Sequence, residues 1–423
     1  MRTTPKVRRA SGIVFATVVA TSLAACGGGG GSADSSSSAG ASTAVTQIGF
    51  WDPYPQYDAS SDWAKYVQAC APSGATIKRT TAPNTDLINN LTTAVREDNA
   101  PDVVFLDNPA VPEASASGLL APLDTVGIAA GDADANLAGP GTVDGKTFGV
   151  PIGANTLGLY YNEDILKKSG IDPSTITDWT SLNAALEKVT KAGDKGITFA
   201  GVPGEEGTFQ FLPWFWGAGA NLKDIGSPQA VQAGQLVSDW VAKGYAPKSA
   251  ITDNQSASWD QFLTGKYAFA ENGSWFAKAA AAEKFPIKMM PIPSASGGAA
   301  PVPTGGEFGV VPVHKDNSAG HYAAAKAVID CLLGTDKQIT TDNMLGYFTA
   351  NKTTRAQQIA AEPVYAPWTD AINGAQGRTT DLGTAYLTTS AALSKAEQAA
   401  LNASGDQAKV AEAFKVAAQE AKG

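Results

Sequence analysis

The stretch from Thr208 to Asn221, T-F-Q-F-L-P-W-F-W-G-A-G-A-N, gathers the groups best suited to hold a ligand. It places Phe209, Phe211, Trp214, Phe215 and Trp216 around a single proline. A large aromatic ring carries roughly 150–250 Å² of surface that favours burial. Two Trp flanking a Phe therefore make either dense core or a platform on which the flat apolar face of a ligand stacks. Glu205, Glu206, Gln210 and Asn221 stand close by and favour the platform. The alternation of Phe209 and Phe211 suggests a strand, Pro213 opposes a helix across the segment, and Gly217 and Gly219 permit a sharp bend. Aromatic and polar residues meet again at Trp51-Asp52, at Glu271-Asn272-Gly273-Ser274-Trp275 and at Ala366-Pro367-Trp368.

Catalytic chemistry is poorly supplied by comparison. The chain has two histidines, His314 and His321, both beside an expected helix start. A Ser-His-Asp site or a two-histidine metal centre draws little from them. No C-x-x-C, H-E-x-x-H or G-x-S-x-G occurs. A secreted hydrolase acting on carbohydrate stays open as an alternative, because 40 acidic residues supply carboxylate pairs, but none is marked. Gly145-Lys146-Thr147 is not a phosphate loop, since that motif needs glycine where Pro140 stands.

The groups above need a sizeable scaffold. The 423 residues allow two or three domains. Hydrophobic residues make up 43% and charged ones 17%, ample for a packed core. Residues 1–25 hold four basic side chains and no acids, so the remainder carries 27 basic against 40 acidic groups, net −13. Such an acidic body argues against nucleic acid and an anionic membrane surface as partners. The basic start, the apolar run Gly12 to Ala20 and the ending Leu23-Ala24-Ala25-Cys26 read as a signal peptide over 1–25. The L-A-A-C ending resembles a bacterial lipobox, which would make Cys26 the lipidated first residue. Residues 26–44 are a Gly/Ser-rich tether.

Periodicity then outlines the body. Ile48 to Trp51 reads as a strand. Trp63, Tyr66, Val67 and Cys70 lie at helical spacing, Ala75–Thr81 is a strand and Thr85–Glu97 a helix. The unbroken apolar run before Asp107 is a central strand covered on both faces. Strand, helix, strand, helix, strand begins a doubly wound α/β domain. Its ligand rim, at the carboxyl ends of the strands, takes in Trp51, Asp52, Asn84, Asp107 and Asn108. Further on, a hairpin turns at Asp144-Gly145, helices cover 180–189, 227–243 and 318–333, and strands cover 267–270, 285–293 and 308–313. The tail from Ala391 is expected as Ala-rich helix with polar faces.

These segments, taken in order, resemble the maltose-binding-protein-like solute-binding subunits of bacterial ABC importers. The resemblance is carried by I-G-F-W-D-P at the first strand, A-P-D-V-V-F-L-D-N-P at 100–109 and A-S-G-L-L-A-P-L-D at 116–124. It continues through V-D-G-K-T-F-G-V-P at 143–151, L-Y-Y-N-E-D-I-L-K-K-S-G at 159–170, D-W-T-S-L at 178–182, F-A-E-N-G-S-W at 269–275 and G-G-E-F-G-V-V at 305–311. It implies two doubly wound α/β lobes of the type II periplasmic-binding-protein kind, joined by three hinge crossings. One lobe would take 45–153 and 303–346, the other 154–302 and 350–423. The crossings would fall near Asn155, in 294–304 and near Gly346–Asn351.

The resemblance further implies a sugar or oligosaccharide in the cleft, no cofactor, no metal and no catalysis. It implies delivery to ABC permease subunits by a monomer held on the extracytoplasmic face of the cell membrane through its lipid alone. A sensor or adhesin of the same fold is the alternative within that family. A sugar needs aromatic planes and side chains that donate and accept. Trp51, Trp214, Trp216 and Trp275 are the expected platforms. Asp52, Asn84, Asp107, Asn108, Asn155, Gln210, Asn272 and Glu307 are the expected hydroxyl partners, with Arg378 as a possible clamp from the second lobe. If Cys26 is lipidated, Cys70 and Cys331 remain as a lone pair in an oxidising compartment. The resemblance brings their helices into the same lobe, so a disulfide between them is expected.

Overall fold

The computed structural model describes residues 43–334 and 337–422. The expected leader, Cys26 and nearly all of the tether lie outside the described residues. Among those described, no helix is long and apolar enough to cross a membrane.

Two mixed sheets organise the chain. The first has five strands in the order β2-β1-β3-β11-β6. These are β1 (Gln47–Asp52), β2 (Thr76–Thr81), β3 (Val103–Asp107), β6 (Gly149–Pro151) and β11 (Glu307–Val310). The first three run parallel, and β11 returns from far along the chain to lie antiparallel between β3 and β6. The small hairpin β4 (Thr142–Val143) and β5 (Lys146–Thr147) turns at Asp144-Gly145, both at positive φ. The second sheet has the order β10-β7-β9-β8. Its strands are β7 (Leu157–Asn162), β8 (Lys195–Thr198), β9 (Tyr267–Gly273) and β10 (Ile287–Met290).

Burial follows the side-chain alternation. In β3, Val103 and Phe105 enter the core beneath the Asp62–Ala69 and Ser318–Leu333 helices. Val104 and Leu106 enter the core beneath the Asn84–Arg96 helix, so the strand is covered on both faces. Ser61 caps the Asp62–Ala69 helix by accepting from the Ala64 amide, and Asp178 and Ser181 close a reciprocal box on the Trp179–Lys191 helix.

The expected bend at Thr208–Asn221 is instead an α-helix, Glu205–Gly217, running through Pro213. Every residue from Gly207 to Gly217 is buried. An interior proline costs about 3 kcal/mol. Burying five aromatic side chains at roughly 1.5–3 kcal/mol each outweighs it. The tail is also more buried than its composition suggests. It forms helices Tyr386–Asn402 and Gln407–Glu420, and the first buries Leu393, Ala396, Ala400 and Leu401 against the aromatic helix. Small side chains permit that close approach.

The chain passes between the sheets three times among the described residues, and the crossings lie side by side. The Ala154 and Phe348 amides donate to each other's carbonyls at 2.7 and 2.8 Å. Asn155 and Gly305 do the same at 3.1 and 2.8 Å. Packing at this ladder dictates its glycines. A Cβ on Gly305 would lie 2.0 Å from the Asn155 Oδ1, and Gly306, at φ +111°, would meet the Gly153 carbonyl at 2.6 Å.

Cys70 and Cys331 are joined by a disulfide with Cα atoms 5.6 Å apart, across 261 residues of chain. It ties the end of the Asp62–Ala69 helix to the Ser318–Leu333 helix, both packed on the first sheet. On the chain-entropy model a bridge over so long a loop contributes about 5 kcal/mol. Alkylation under denaturing, non-reducing conditions should therefore leave both cysteines unmodified in intact-mass spectra. Reduction should lower the thermal midpoint, and two alkylated cysteines without reductant would exclude the bond.

Candidate functional site

Strand ends deliver one cluster of polar groups to the crossings. β3 ends in Asp107 and β11 begins, antiparallel beside it, with Glu307, so the register sets these residues opposite each other. The helix Glu205–Gly217 brings Glu205 in its first turn and Phe209 one turn later. Arg378 arrives from the loop after the Thr369–Asn373 helix and is 2% exposed.

Arg378 joins the two lobes. Its guanidinium donates to both Asp107 carboxylate oxygens, at 2.6 and 3.2 Å, and to Glu205 Oε1 at 2.6 Å. Its Nε donates to the Thr304 carbonyl at 3.1 Å, and its plane lies 4.9 Å from the centre of the Phe209 ring. Burial works against its charge, but the Asp107 and Glu205 carboxylates outweigh that and hold it more firmly protonated than usual. Glu205 also accepts from Tyr386 Oη at 2.8 Å and from the Ser390 hydroxyl. Burial pushes its carboxyl up, and Arg378 opposes the rise.

Glu307 anchors a second network. Its Oε2 accepts from Tyr347 Oη at 2.6 Å and Tyr54 Oη at 2.8 Å, while Oε1 accepts from Asn84 Nδ2 at 3.3 Å. Burial and the nearby Asp107 charge both raise its pKa. The Trp275 ring, partly exposed, stands 6.4 Å from Phe209. Acceptors, phenols and the partly exposed Trp275 ring thus gather beside the crossings, with Phe209 buried beneath Arg378. Carboxylates and phenols of this kind are the groups that hydrogen-bond the hydroxyls of a polyol.

A profile of the bacterial extracellular solute-binding proteins matches residues 52–411. This chain belongs to that family. The chain is 32% identical over 192 residues to the maltodextrin-binding protein MdxE of Bacillus subtilis (strain 168), covering 40% of this chain and 42% of that one. A putative binding protein of Brucella abortus (strain 2308) is 27% identical over 135 residues, 30% of this chain and 32% of its own length. The chain thus spans about a third to two fifths of the length of the curated relatives it matches. Among solved structures, maltose-bound T. maritima MalE3 superposes with a TM-score of 0.76 at 21% identity, over 89% of this chain and 99% of that one. The GacH receptor of Streptomyces glaucescens, seen unliganded and with acarbose, gives 0.71 at 22% identity over 88% and 98%. The fold is therefore the two-lobed type II arrangement, and the relatives are binding proteins, not enzymes.

Of the residues expected in the site, this solute-binding protein brings together Asn84, Asp107, Glu307, Arg378 and Trp275. Others have different work. Asp52 is wholly buried and spends both oxygens on Arg79, at 2.6 and 2.8 Å, on Trp63 Nε1 at 3.0 Å and on the Tyr54 amide at 3.1 Å. It positions Tyr54. Trp51 points to the opposite face of the sheet, into a groove of about 340 Å³ that it shares with Thr80, Leu87 and Asn90. Asn108 donates to the Thr304 and Gly306 carbonyls at 3.3 and 3.2 Å and pins the β3 end to a crossing. Asn155 is a buried crossing residue.

Trp214 and Trp216 are core, not platforms. Trp214 is 1% exposed, meets Trp240 edge-on at 4.9 Å and donates through Nε1 to Glu271 Oε2 at 2.7 Å. Asn272 lies inside β9 and bonds the Gln255 carbonyl, the Ser258 hydroxyl and the Gly273 amide. Gln210 is buried beside this core with neither amide atom bonded to protein. Tyr54, Tyr347, Glu205 and Tyr386 were missing from the expected set. Tyr347 sits next to the Gly346 crossing in L-G-Y-F, the one local signal that points to it.

Removing the guanidinium leaves Asp107 and Glu205 facing each other in a buried place. Breaking such a pair typically costs about 3–5 kcal/mol. Arg378→Met should lower unfolding stability by that order in denaturant titrations, and Arg378→Lys should restore only part of it, because lysine cannot fork onto two carboxylates.

Glu271 and Glu397 form a second buried acidic pair, in the second lobe. Burial pushes both carboxyls well above the ordinary range; the Trp214 indole opposes this at Glu271, and the Glu271 charge adds to it at Glu397. A raised folded pKa gives stability at low pH that is lost as pH rises from the unfolded value of about 4.3 through the folded one. Wild-type melting temperature should therefore fall across that interval more steeply than that of Glu271→Gln. Equal slopes would show that Glu271 is charged in the fold.

Proposed function

We propose that this protein binds a neutral sugar or short oligosaccharide between its lobes and closes on it by motion at the three crossings. The observation that carries this reading is the Asp107–Arg378–Glu205 bridge beside Glu307, Tyr54 and Tyr347. It offers hydroxyl partners from both lobes with Trp275 as an apolar face. Charge supports a neutral solute. In this cluster Arg378 is already committed to two carboxylates, while Asp107, Glu205 and Glu307 leave an acidic surplus. An anionic ligand would meet repulsion there without a spare cation among the described residues of the cluster. The names of MdxE and of maltose-bound MalE3 point the same way, toward glucose oligomers. Delivery to an ABC permease, anchoring through a lipid on Cys26 at the outer face of the membrane and a monomeric state complete the proposal. The family supports delivery from the extracytoplasmic side, and the L-A-A-C sequence supports the lipid anchor.

Thermal-shift measurements with maltose, maltotriose and longer maltodextrins, beside glucuronate as the anionic control, test the ligand class. A ligand at 100 times its Kd adds about 2.7 kcal/mol of stability. Neutral sugars should raise the melting temperature and glucuronate should not. Loss of a charged hydrogen-bond partner costs about 1.5–3 kcal/mol. Asp107→Ala should thus weaken binding of the best sugar at least about tenfold by calorimetry, and Trp275→Ala should weaken it through lost stacking. Unchanged affinity in both variants would move the site elsewhere. The bound sugar should be recovered intact by chromatography.

A further inference from the structure

The two histidines of the chain, set aside above as poor catalytic material, come together on one buried carboxylate far from the cleft cluster. Asp102 immediately precedes β3, and His314 follows β11. Because these strands are antiparallel neighbours, the end of one lies beside the start of the other. The Ser318–Leu333 helix packs over the same sheet and presents His321 from its first turn. The convergence is at the end of β3 opposite Asp107, beside the Asn317 side chain that holds Thr43, the first described residue.

We propose that Asp102, His314 and His321 form a binding site for a borderline divalent transition ion, with Zn²⁺ as its simplest probe. Their ligand atoms lie within 4.8 Å of one another, and no other such grouping occurs among the described residues. Two imidazoles and a carboxylate are the donors such ions take, with water completing the coordination.

The surroundings prepare these donors as ligands. Asp102 is 3% exposed, and its Oδ2 is oriented by the Gly49 amide at 2.7 Å, while Oδ1 lies 2.6 Å from His321 Nδ1. His314 Nε2 is buried with no hydrogen-bond partner among the described residues. An imidazole nitrogen that is buried and left unbonded is free to act as a metal ligand when the ring proton sits on the other nitrogen. No other described group bonds that nitrogen.

One adjustment is needed. The two rings stack with centroids 4.0 Å apart and planes 3° apart, so their in-plane lone pairs run parallel. An ion bound by both requires one ring to turn. His321, 28% exposed, is the ring that turns, exchanging its contact with Asp102 Oδ1 for the shared ion.

The test uses the protein with Cys26→Ser and no affinity tag, so that neither a free thiol nor added histidines compete. Calorimetric titration with ZnCl₂ should show one saturable ion per chain. His314→Ala, His321→Ala and Asp102→Asn should each weaken it at least about tenfold. His321→Gln, a mild change at a partly exposed position, should weaken it equally if His321→Ala proves unstable. With two histidines in the chain, zinc should shift both imidazole signals in ¹H–¹³C NMR spectra. Absence of saturable binding overturns the proposal, as does zinc binding that survives the two histidine substitutions or leaves either imidazole signal unmoved.

Discussion

The architecture of the cleft depends on one buried guanidinium. Arg378 is enclosed by Asp107 from the first lobe, Glu205 from the second and the Thr304 carbonyl from a crossing. A buried charge is tolerated only when it is paired and hydrogen-bonded, and here two carboxylates and four hydrogen bonds do so. The position of each lobe's carboxylate is therefore set by the same atom group. Any change in the angle between the lobes must lengthen one side of this bridge or be accompanied by a partner that replaces it, such as a hydroxyl.

The crossings make that geometry possible. Three segments distant in sequence pair as a short ladder, with glycines where a side chain would strike the neighbouring backbone. Closely paired backbone is stiff along the ladder but leaves rotation across it, and hinges of this kind need only a few residues to change. Glu307 and Tyr347 each adjoin a crossing, so the second network sits where a hinge movement is smallest. The disulfide lies wholly within the first lobe and does not restrain the hinge.

The aromatic segment 205–217 shows where local propensity gives way. Its proline and alternating phenylalanines describe an irregular or extended chain, yet it folds as a helix buried on every side. Burial of large rings is worth several times the cost of one proline. Trp214, placed by that helix, then turns inward to a glutamate in the core, and Trp275 is left as the partly exposed ring beside Phe209.

What the sequence determined by itself was whatever rests on neighbours along the chain. The alternation in Ile48, Phe50 and Asp52, the doubly apolar run before Asp107, the helical stripe of Trp63 and Val67, and the Asp144-Gly145 turn are local patterns with one structural solution each. Strand ends then gave Asp107 and Glu307 their place at the rim. Which polar groups gather beside the crossings was decided only by tertiary structure, because a carboxylate has the same chemistry wherever it is bonded. Asp52 and Asp107 both follow strands, but Arg79 from β2 consumes the first and a residue 271 positions away bridges the second. The gathering of His314 and His321 around Asp102 is of the same kind. It follows from the antiparallel return of β11, which no local pattern encodes.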